Sequence, residues 1–304
     1  MKAIKIRNLY KTFKEKQALN GLNMTVPKGA IYGFIGENGS GKSTTEKIIC
    51  GLIHKTGGSV ELFGKKGDDP NVRRKIGVLI ESPGCFPGMT VWNNLKMQAD
   101  NLGLKNADDE IRKVLTLVRM EGAAGNKYKN CSLGMKQRVG IAMALIGNPE
   151  LLVLDEPING LDADGMRIMR EVLTDLAQNH GVTVLISSHV LGELEKIATH
   201  YGIIRNGSMI KEMTADELEK EVRTYVSLKS NNQEELKIVL NKTYSVVKED
   251  DFGYLRVYDE EKAEDVVDTL YKKGIIVTDV KTAKVSLEEY YIDLMAKRGM
   301  NYGK

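Results

Sequence analysis

The chain has 304 residues, of which 42% are hydrophobic and 28% are charged, so it can form a globular protein with one large domain and one smaller domain. Its 44 basic and 41 acidic residues leave a net charge of +3, and this near balance predicts no nucleic-acid partner. The three cysteines and four histidines lack metal-ligand spacing, the odd cysteine count argues against a disulfide framework, and the lack of a signal-peptide region or an apolar run of about 18 residues predicts no membrane span.

The first predicted elements are strands with one buried face. Apolar side chains alternate over residues 4–6 and again over residues 22–26, which is the period of a strand. Phe13 lies in a polar segment between them, where a lone aromatic side chain is usually a core or edge residue. Residues 30–35 form a short apolar run, which predicts a buried third strand.

The segment after this strand carries the most specific motif of the chain. It fits the pattern G-x-x-x-x-G-K-[ST], and its residues are Gly36, Glu37, Asn38, Gly39, Ser40, Gly41, Lys42, Ser43 and Thr44. In such a loop, glycines let backbone N–H groups point at a phosphate, and the following helix adds its positive end. Lys42 is expected to reach the β- and γ-phosphates, and Ser43 to hold Mg²⁺. A glycine-rich turn is the alternative, but the strand before the loop and the helix after it favour a phosphate site.

A further strand, predicted over residues 76–80, ends at a carboxylate. The run is continuously apolar, as in strands that are buried on both faces, whereas residues 65–74 before it are polar and predict a surface connection. Glu81 follows the strand directly. Because α/β folds place ligand contacts at the carboxyl ends of strands, Glu81 is a candidate site residue, and a solvated strand end is an equally good interpretation.

Residues 90–146 have the apolar spacing of helices. Asp108 and Asp109 precede one apolar stripe and are predicted to cap that helix. Ser132 and Gly134 stand at the start of another helix, where free N–H groups could form a second anion site. Serine is also simply a good N-cap residue, so this segment alone supports either interpretation.

Two more buried strands end in polar residues. Residues 151–154 are apolar and lead into Asp155 and Glu156. At the end of a parallel strand facing the phosphate loop, Asp155 is expected to assist Mg²⁺ coordination and Glu156 to polarise the attacking water. Residues 182–186 lead towards His189 in the same way, so a phosphate contact and a structural role are equally supported for this histidine.

The chain then passes through a hairpin into a second region. Residues 203–210 predict two strands joined by an Asn-Gly turn. Beyond about residue 220 the pattern is β-α-β-β-α-β, which fits a ferredoxin-like arrangement; it consists of strands over 225–228, 244–247, 254–257 and 275–280 and helices over 233–240 and 263–271. Ser286 opens a capping box for a last helix. No site motif occurs here, so docking or dimer support is favoured over ligand binding.

Taken in order, these motifs make about residues 1–215 resemble the nucleotide-binding subunit of an ABC (ATP-binding cassette) transporter. The resemblance implies an α/β fold of the P-loop NTPase class, an ABC cassette with a mixed central sheet, an antiparallel β subdomain and a helical subdomain at about residues 83–148. Residues 221–304 are then expected to form a small α+β accessory domain.

The resemblance implies a role for each motif. Residues 36–44 match the Walker A loop, and residues 151–156 match the Walker B strand, with Glu156 as general base. His189 falls at the switch histidine, which holds the γ-phosphate and its water. Phe13 falls where the family stacks an aromatic side chain on adenine.

The signature segment departs from the usual Leu-Ser-Gly-Gly-Gln of the family. Leu133 and Met135 replace a Gly and the Gln, whereas Ser132 and Gly134, with which the family clamps the γ-phosphate, remain. This version looks like the branch that exports drugs, bacitracin and lantibiotic-type peptides.

The implied metal site departs as well. Ser43, Asp155 and Glu81 are the implied Mg²⁺ residues, but the family usually has glutamine where Glu81 stands. We expect Glu81 still to link Mg²⁺ to the helical subdomain, with a stronger metal dependence. Asp162 falls in the D-loop and is counted with the nucleotide-binding residues.

The family mechanism implies ATP and Mg²⁺ as cofactors and two kinds of partner. The phosphate loop of one cassette faces the signature of a second copy, or of a paralogous cassette, across ATP. An integral membrane permease would place the subunit in the cytoplasm, peripheral on the inner face of the cell membrane, where it drives export. The alternative is a non-transport ABC ATPase that acts as a switch on ribosomes or DNA; such proteins usually have two cassettes, a long coiled-coil insertion or a basic surface, and none is evident.

Overall fold

The computed structural model describes residues 1–245, 247–250, 252–258 and 262–299 and divides into two compact units after Ala215. No helix within these ranges is long and apolar enough to cross a bilayer. The first unit contains β1 (Lys2–Phe13), β2 (Lys16–Pro27), β3 (Ile31–Ile35), α1 (Lys42–Ile49), β4 (Gly57–Leu62), β5 (Lys65–Lys66), α2 (Pro70–Arg73), β6 (Ile76–Leu79), α3 (Val91–Asn101), α4 (Ala107–Leu117), α5 (Leu133–Leu145), β7 (Leu151–Asp155), α6 (Ala163–Gln178), β8 (Thr183–Ser187), α7 (Leu191–Leu194), β9 (His200–Arg205) and β10 (Ser208–Thr214).

A six-stranded mixed sheet, in the order β10-β9-β3-β8-β7-β6, forms the centre of this unit. All its neighbouring strands are parallel except β9 and β10, which form the predicted Asn-Gly hairpin. The side chains of β3 are all buried, as are those of β8 and the first four of β7. Parallel strands bring their carboxyl ends to one edge, so the segments after β3, β7 and β8 meet there.

A second, antiparallel sheet in the order β2-β1-β4-β5 packs on the first. Buried side chains from both sheets, such as Ile4, Met24, Phe34 and Val153, form one continuous core. Phe13 ends β1 and pairs in register with Lys16 of β2. Phe13 therefore lies at the tip of a strand hairpin and not in a loop. Strand β1 continues through polar residues that lack the alternation of apolar and polar side chains from which a strand is predicted.

Three sequence-based details of this unit were wrong. The strand over 76–80 is not buried on both faces: Gly77 and Leu79 are buried beneath α5, but Ile76 and Val78 are only half-buried. Residues 65–74 are not a plain connection, since they contain β5 and α2. Helix α4 begins one residue after Asn106, so Asp108 and Asp109 occupy its first turn and do not cap it; acidic side chains there still interact favourably with the helix dipole.

The second unit is a smaller α+β fold. Its elements are α8 (Ala215–Glu221), β11 (Thr224–Ser230), α9 (Gln233–Thr243), β12 (Val247–Glu249), β13 (Leu255–Val257), α10 (Ala263–Tyr271), β14 (Val277–Lys284) and α11 (Leu287–Gly299). The strands form an antiparallel sheet in the order β12-β13-β11-β14, and α9 and α10 share one apolar core with it. The order β-α-β-β-α-β is the predicted one.

Local features of this unit test two further expectations. The strand predicted over 244–247 is displaced to β12, because α9 continues to Thr243; Val246 lies outside the described residues. The capping box is confirmed, since the Ser286 N–H donates to Glu289 Oε2 at 3.1 Å and the Glu289 N–H donates to Ser286 Oγ at 3.2 Å.

Candidate nucleotide-binding site

The phosphate loop runs from the end of β3 to the start of α1. Steric constraints explain why three of its positions are glycine. A Cβ atom at Gly36 would lie 2.5 Å from the Ile204 carbonyl oxygen. Gly41 has a φ of +113°, and a Cβ atom there would lie 2.7 Å from Leu19 Cδ2. Gly39 has a φ of +80°. Only glycine fits these positions without strain, so the backbone forms the tight curve that turns N–H groups inward.

Lys42 is held across this loop. Its side chain is buried, and Nζ donates to the carbonyl oxygens of Gly36, at 2.6 Å, and of Glu37, at 3.2 Å. The buried Ser40 Oγ has no hydrogen-bond partner in the described part of the chain. A buried ammonium and an unsatisfied hydroxyl beside the N-terminus of α1 favour an anionic ligand.

A cavity of about 360 Å³ opens over the loop. Residues of the loop line it together with Asp155, Glu156, Phe13, Lys16 and Ala18. Phe13 is 45% exposed, and Lys11 Nζ lies 4.6 Å from the centroid of its ring. Sequence reasoning missed Lys16 and Ala18, and the strand register that places Lys16 opposite Phe13 is the feature that brings them to the cavity.

Oxygen atoms suited to Mg²⁺ converge at one end of the cavity. Ser43 Oγ lies 3.4 Å from Asp155 Oδ2, while Ser187 Oγ donates to Asp155 Oδ1 at 2.8 Å. The described residues contain no cluster of three or more His, Cys, Asp or Glu side chains that could hold a metal unaided. Mg²⁺ commonly takes one or two protein oxygens together with substrate phosphates, so this donor set fits it.

Glu156 and His189 form a pair at the same sheet edge. His189 Nδ1 lies 2.7 Å from Glu156 Oε2, and the His189 N–H donates to the same oxygen at 3.3 Å. The Glu156 backbone has a φ of +52°, a region that non-glycine residues rarely adopt. Its N–H donates to the Ser187 carbonyl oxygen at 3.1 Å. This strained turn fixes a carboxylate beside an imidazole, an arrangement suited to deprotonating water.

Glu81 lies away from the predicted metal residues. It has a φ of +67°, its side chain is 71% exposed, and it forms an ion pair of 2.7 Å with Lys47 of α1. The hydrogen bond and the positive charge of Lys47 hold the pKa of Glu81 below its usual range. Glu81 does not line the cavity.

The remaining predicted residues cap helices outside the cavity. Ser132 Oγ accepts from the Met135 N–H at 3.2 Å at the start of α5, two residues before Gly134. Asp162 Oδ1 accepts from the Gly165 N–H at 2.9 Å at the start of α6. None of the three predicted residues lines the cavity, so one chain does not bring its own signature segment to its phosphate loop.

One buried acid escaped the sequence reasoning. Glu46 is 0% exposed, and burial together with the charge of Asp155 raises its pKa to about 8. The sequence spacing could have predicted that Glu46 is buried, because Glu46 shares the i, i+3, i+4, i+7 face of α1 with Lys42, Thr45 and Ile49. An acid on the buried face of a helix needs a local reason.

Comparisons with known proteins give a consistent result. A family model described as ABC transporter matches residues 19–159. The bacitracin transport ATP-binding protein BcrA of Bacillus licheniformis is 36% identical over 301 residues, which cover 96% of this chain and 97% of the relative. The lantibiotic transport ATP-binding protein SrtF of Streptococcus pyogenes is 41% identical over 213 residues, which cover 70% of this chain and 91% of the relative.

Solved structures resemble about 70% of the chain. The ATP-binding cassette MJ0796, described as a dimeric post-hydrolysis state bound to ADP and phosphate, is 26% identical with a TM-score of 0.63 and covers 70% of this chain and 98% of that one. A nucleotide-free ATP-binding cassette from an ABC transporter is 27% identical with a TM-score of 0.66, covering 72% and 94%.

Proposed function

Because this chain belongs to the family of ABC transporter ATP-binding proteins, which are ATPases, we propose that it powers the export of a bacitracin-like peptide antibiotic through a separate membrane permease. The assembly of Lys42, Ser43, Asp155 and Glu156 around one cavity carries the ATPase part. The length of the match to BcrA supports the cargo class, since 96% of this chain must include most of the second unit. SrtF, by contrast, has little sequence outside its 213 matched residues, so it offers little that could correspond to the second unit.

In the proposed reaction the groups of the site divide the work between binding and chemistry. Lys42 binds the β- and γ-phosphates, and Ser43 and Asp155 hold Mg²⁺, which supplies charge neutralisation when bound. Glu156 takes the proton of the water that attacks the γ-phosphorus, while the bond to the β-phosphate oxygen breaks and ADP leaves. His189 orients Glu156 and contacts the γ-phosphate.

The site is completed by a second cassette. We assign Ser132 and Gly134 of a second copy, or of a paralogous cassette, to the γ-phosphate, with Asp162 near the same boundary. Their position outside the cavity of their own chain supports this assignment. A related cassette described as dimeric after hydrolysis supports it as well.

We also propose a role for each part of the chain. Residues 1–215 form the cassette, with a helical subdomain at about 83–148, and residues 221–304 form an accessory domain for docking or dimer support. The permease would hold the subunit on the inner face of the cell membrane. Co-purification with an integral membrane protein is expected; co-purification with ribosomes or DNA would favour the switch-like alternative.

Glu156→Gln tests the proposed chemistry. The amide cannot accept the proton, so ATP hydrolysis is expected to fall by at least about 100-fold while ATP binding persists and a dimer accumulates. Turnover and the elution volume with ATP are measured. Glu150→Gln is the matched control: this acid precedes the same strand and pairs with Lys28 and Lys75. Near-normal turnover of Glu156→Gln would remove Glu156 from the role.

A further inference from the structure

The carboxyl of Glu46, next to the site, is a polar group whose burial carries a free-energy cost of desolvation. Neither of its oxygens has a hydrogen-bond partner within the described residues, although the side chain is fully buried. An apolar side chain of similar volume would fill the space without this cost of desolvation. The carboxyl therefore contributes nothing to the packing of α1 that an apolar group could not supply.

The neighbours of Glu46 belong to the metal and water part of the site. Asp155, Lys42 and Glu156 all act on its charge, and the Ser187 hydroxyl lies close enough to favour its ionised form. A hydroxyl has a single proton to donate. In this structure Ser187 gives that proton to Asp155 Oδ1 at 2.8 Å, which leaves Glu46 unsatisfied.

Ser187 therefore has two carboxyl groups within reach and one proton to give. It also accepts the Glu156 N–H at 3.3 Å, so its hydroxyl oxygen sits between the predicted metal ligand and the predicted base. While Ser187 donates to Asp155, one oxygen of that carboxylate is engaged. A second acceptor nearby allows the hydroxyl to turn away without losing its hydrogen bond.

We propose that Glu46 is a positioning residue of the divalent-cation site: it accepts the Ser187 hydroxyl proton in place of Asp155 Oδ1 and so leaves both oxygens of Asp155 to the cation bound with the nucleotide. The inference rests on the proposed Mg²⁺·ATP site. Outer-shell partners of this kind orient the ligand that binds the metal directly. Glu46 itself does not line the cavity.

The test compares ATP dissociation constants with Mg²⁺ and with EDTA, together with melting temperatures without nucleotide. In Glu46→Leu, Ser187 remains on Asp155, so the gain in ATP affinity due to Mg²⁺ is expected to fall about tenfold. The same variant removes an unsatisfied buried carboxyl, so its melting temperature is expected to rise by about 2–4 °C. Glu46→Gln keeps an acceptor oxygen and should retain the Mg²⁺ gain.

A double variant separates positioning from packing. Ser187→Ala removes the hydroxyl that holds Asp155, so Glu46→Leu combined with Ser187→Ala is expected to regain the Mg²⁺ effect. If Glu46 only shaped the core, the double variant would remain as defective as Glu46→Leu. Should Glu46→Leu fail to fold, Glu46→Met, an unbranched apolar substitute, takes its place in both comparisons.

Glu110 provides a matched control, because its Oε1 atom on α4 is also buried and has no hydrogen-bond partner among the described residues. Glu110→Leu is expected to change the melting temperature and leave the Mg²⁺ gain as in the wild type. A wild-type Mg²⁺ gain in Glu46→Leu overturns the inference while the proposed function stands. If the wild-type protein binds ATP with the same dissociation constant in Mg²⁺ and in EDTA, the proposed metal site is wrong, and so is the role of Glu46.

Discussion

At the scale of single residues, Glu81 combines a strained backbone with an exposed ion pair. Its carboxylate is bound to Lys47 of α1, three residues beyond Thr44 of the phosphate loop. The side chain thereby ties the segment that enters the helical subdomain to the helix that begins at the loop. An exposed pair of this kind contributes little to stability, so we expect its loss to affect function more than folding.

Glu81→Gln is expected to weaken the dependence of ATP hydrolysis on Mg²⁺, because the loss of its negative charge breaks the ion pair with Lys47 on α1, the helix that carries the predicted Mg²⁺ residue Ser43. The rate is measured across a range of Mg²⁺ concentrations. Lys47→Gln breaks the same ion pair but keeps the acid, so it separates loss of the pair from loss of the charge. An unchanged rate with unchanged Mg²⁺ dependence in Glu81→Gln contradicts the role.

Phe13 is the second residue whose role rests on position. This residue is 45% exposed and lines the cavity over the phosphate loop. Phe13→Ala is expected to weaken ATP binding about tenfold, from the loss of one stacking contact with the base, with little change in melting temperature. Phe13→Tyr keeps the ring and should bind ATP normally. Equal ATP affinities of Phe13→Ala and the wild type, measured by titration, would exclude stacking.

At the scale of elements, α5 shows one side chain with a structural and a proposed functional role. Ser132 caps the helix and is assigned to the γ-phosphate of a second copy. Ser132→Ala is expected to lose about 1 kcal/mol of stability and most ATP hydrolysis. Ser132→Asp restores a good cap but places a negative charge against the phosphate, so stability should return while hydrolysis stays low. Thermal melting and ATPase assays report the two effects, and wild-type hydrolysis by Ser132→Asp would leave Ser132 as a cap only.

The elements themselves followed largely from local sequence. Buried strands have continuous apolar runs, and the capping box around Ser286 requires only residues four positions or fewer apart. The misplaced boundaries lie where no local signal ends an element: β1 continues to Phe13 because β2 pairs with it, and α9 continues to Thr243 through polar residues. In β1, strand pairing overrode a weak local preference.

At the scale of the whole molecule, the active site is proposed to need two chains, and mixing inactive variants tests this. Lys42→Ala is defective in the phosphate loop, and Ser132→Asp is defective in the signature. A mixed dimer combines the intact loop of the Ser132→Asp chain with the intact signature of the Lys42→Ala chain. At equal amounts, about one half of all dimers are expected to be mixed, and each mixed dimer has one intact site, so the mixture should recover measurable ATP hydrolysis.

Each variant alone, at the same total concentration, is the control for that mixture. Recovery should depend on the proportion of the two chains and be greatest near equal amounts. A mixture no more active than the sum of its components would indicate that each chain completes its own site.

The phosphate loop, the Asp155–Glu156 strand end and the β-α-β-β-α-β order of the second region were determined by the sequence alone. Each depends on contiguous residues: glycine conformation, apolar period and the polar residue that ends a strand. Such local features do not depend on how the strands and helices pack against one another.

Only the tertiary structure decided which distant side chains meet. Phe13 lines the cavity with Asp155, Glu81 binds Lys47, and Glu46 lies close to Asp155 and Ser187. These contacts join segments separated by tens of residues or more. Their energies depend on burial and on charges a few ångströms apart, and neither can be read from the order of residues along the chain. The phosphate loop identifies the ligand, and the packing around α1 sets the charges next to it.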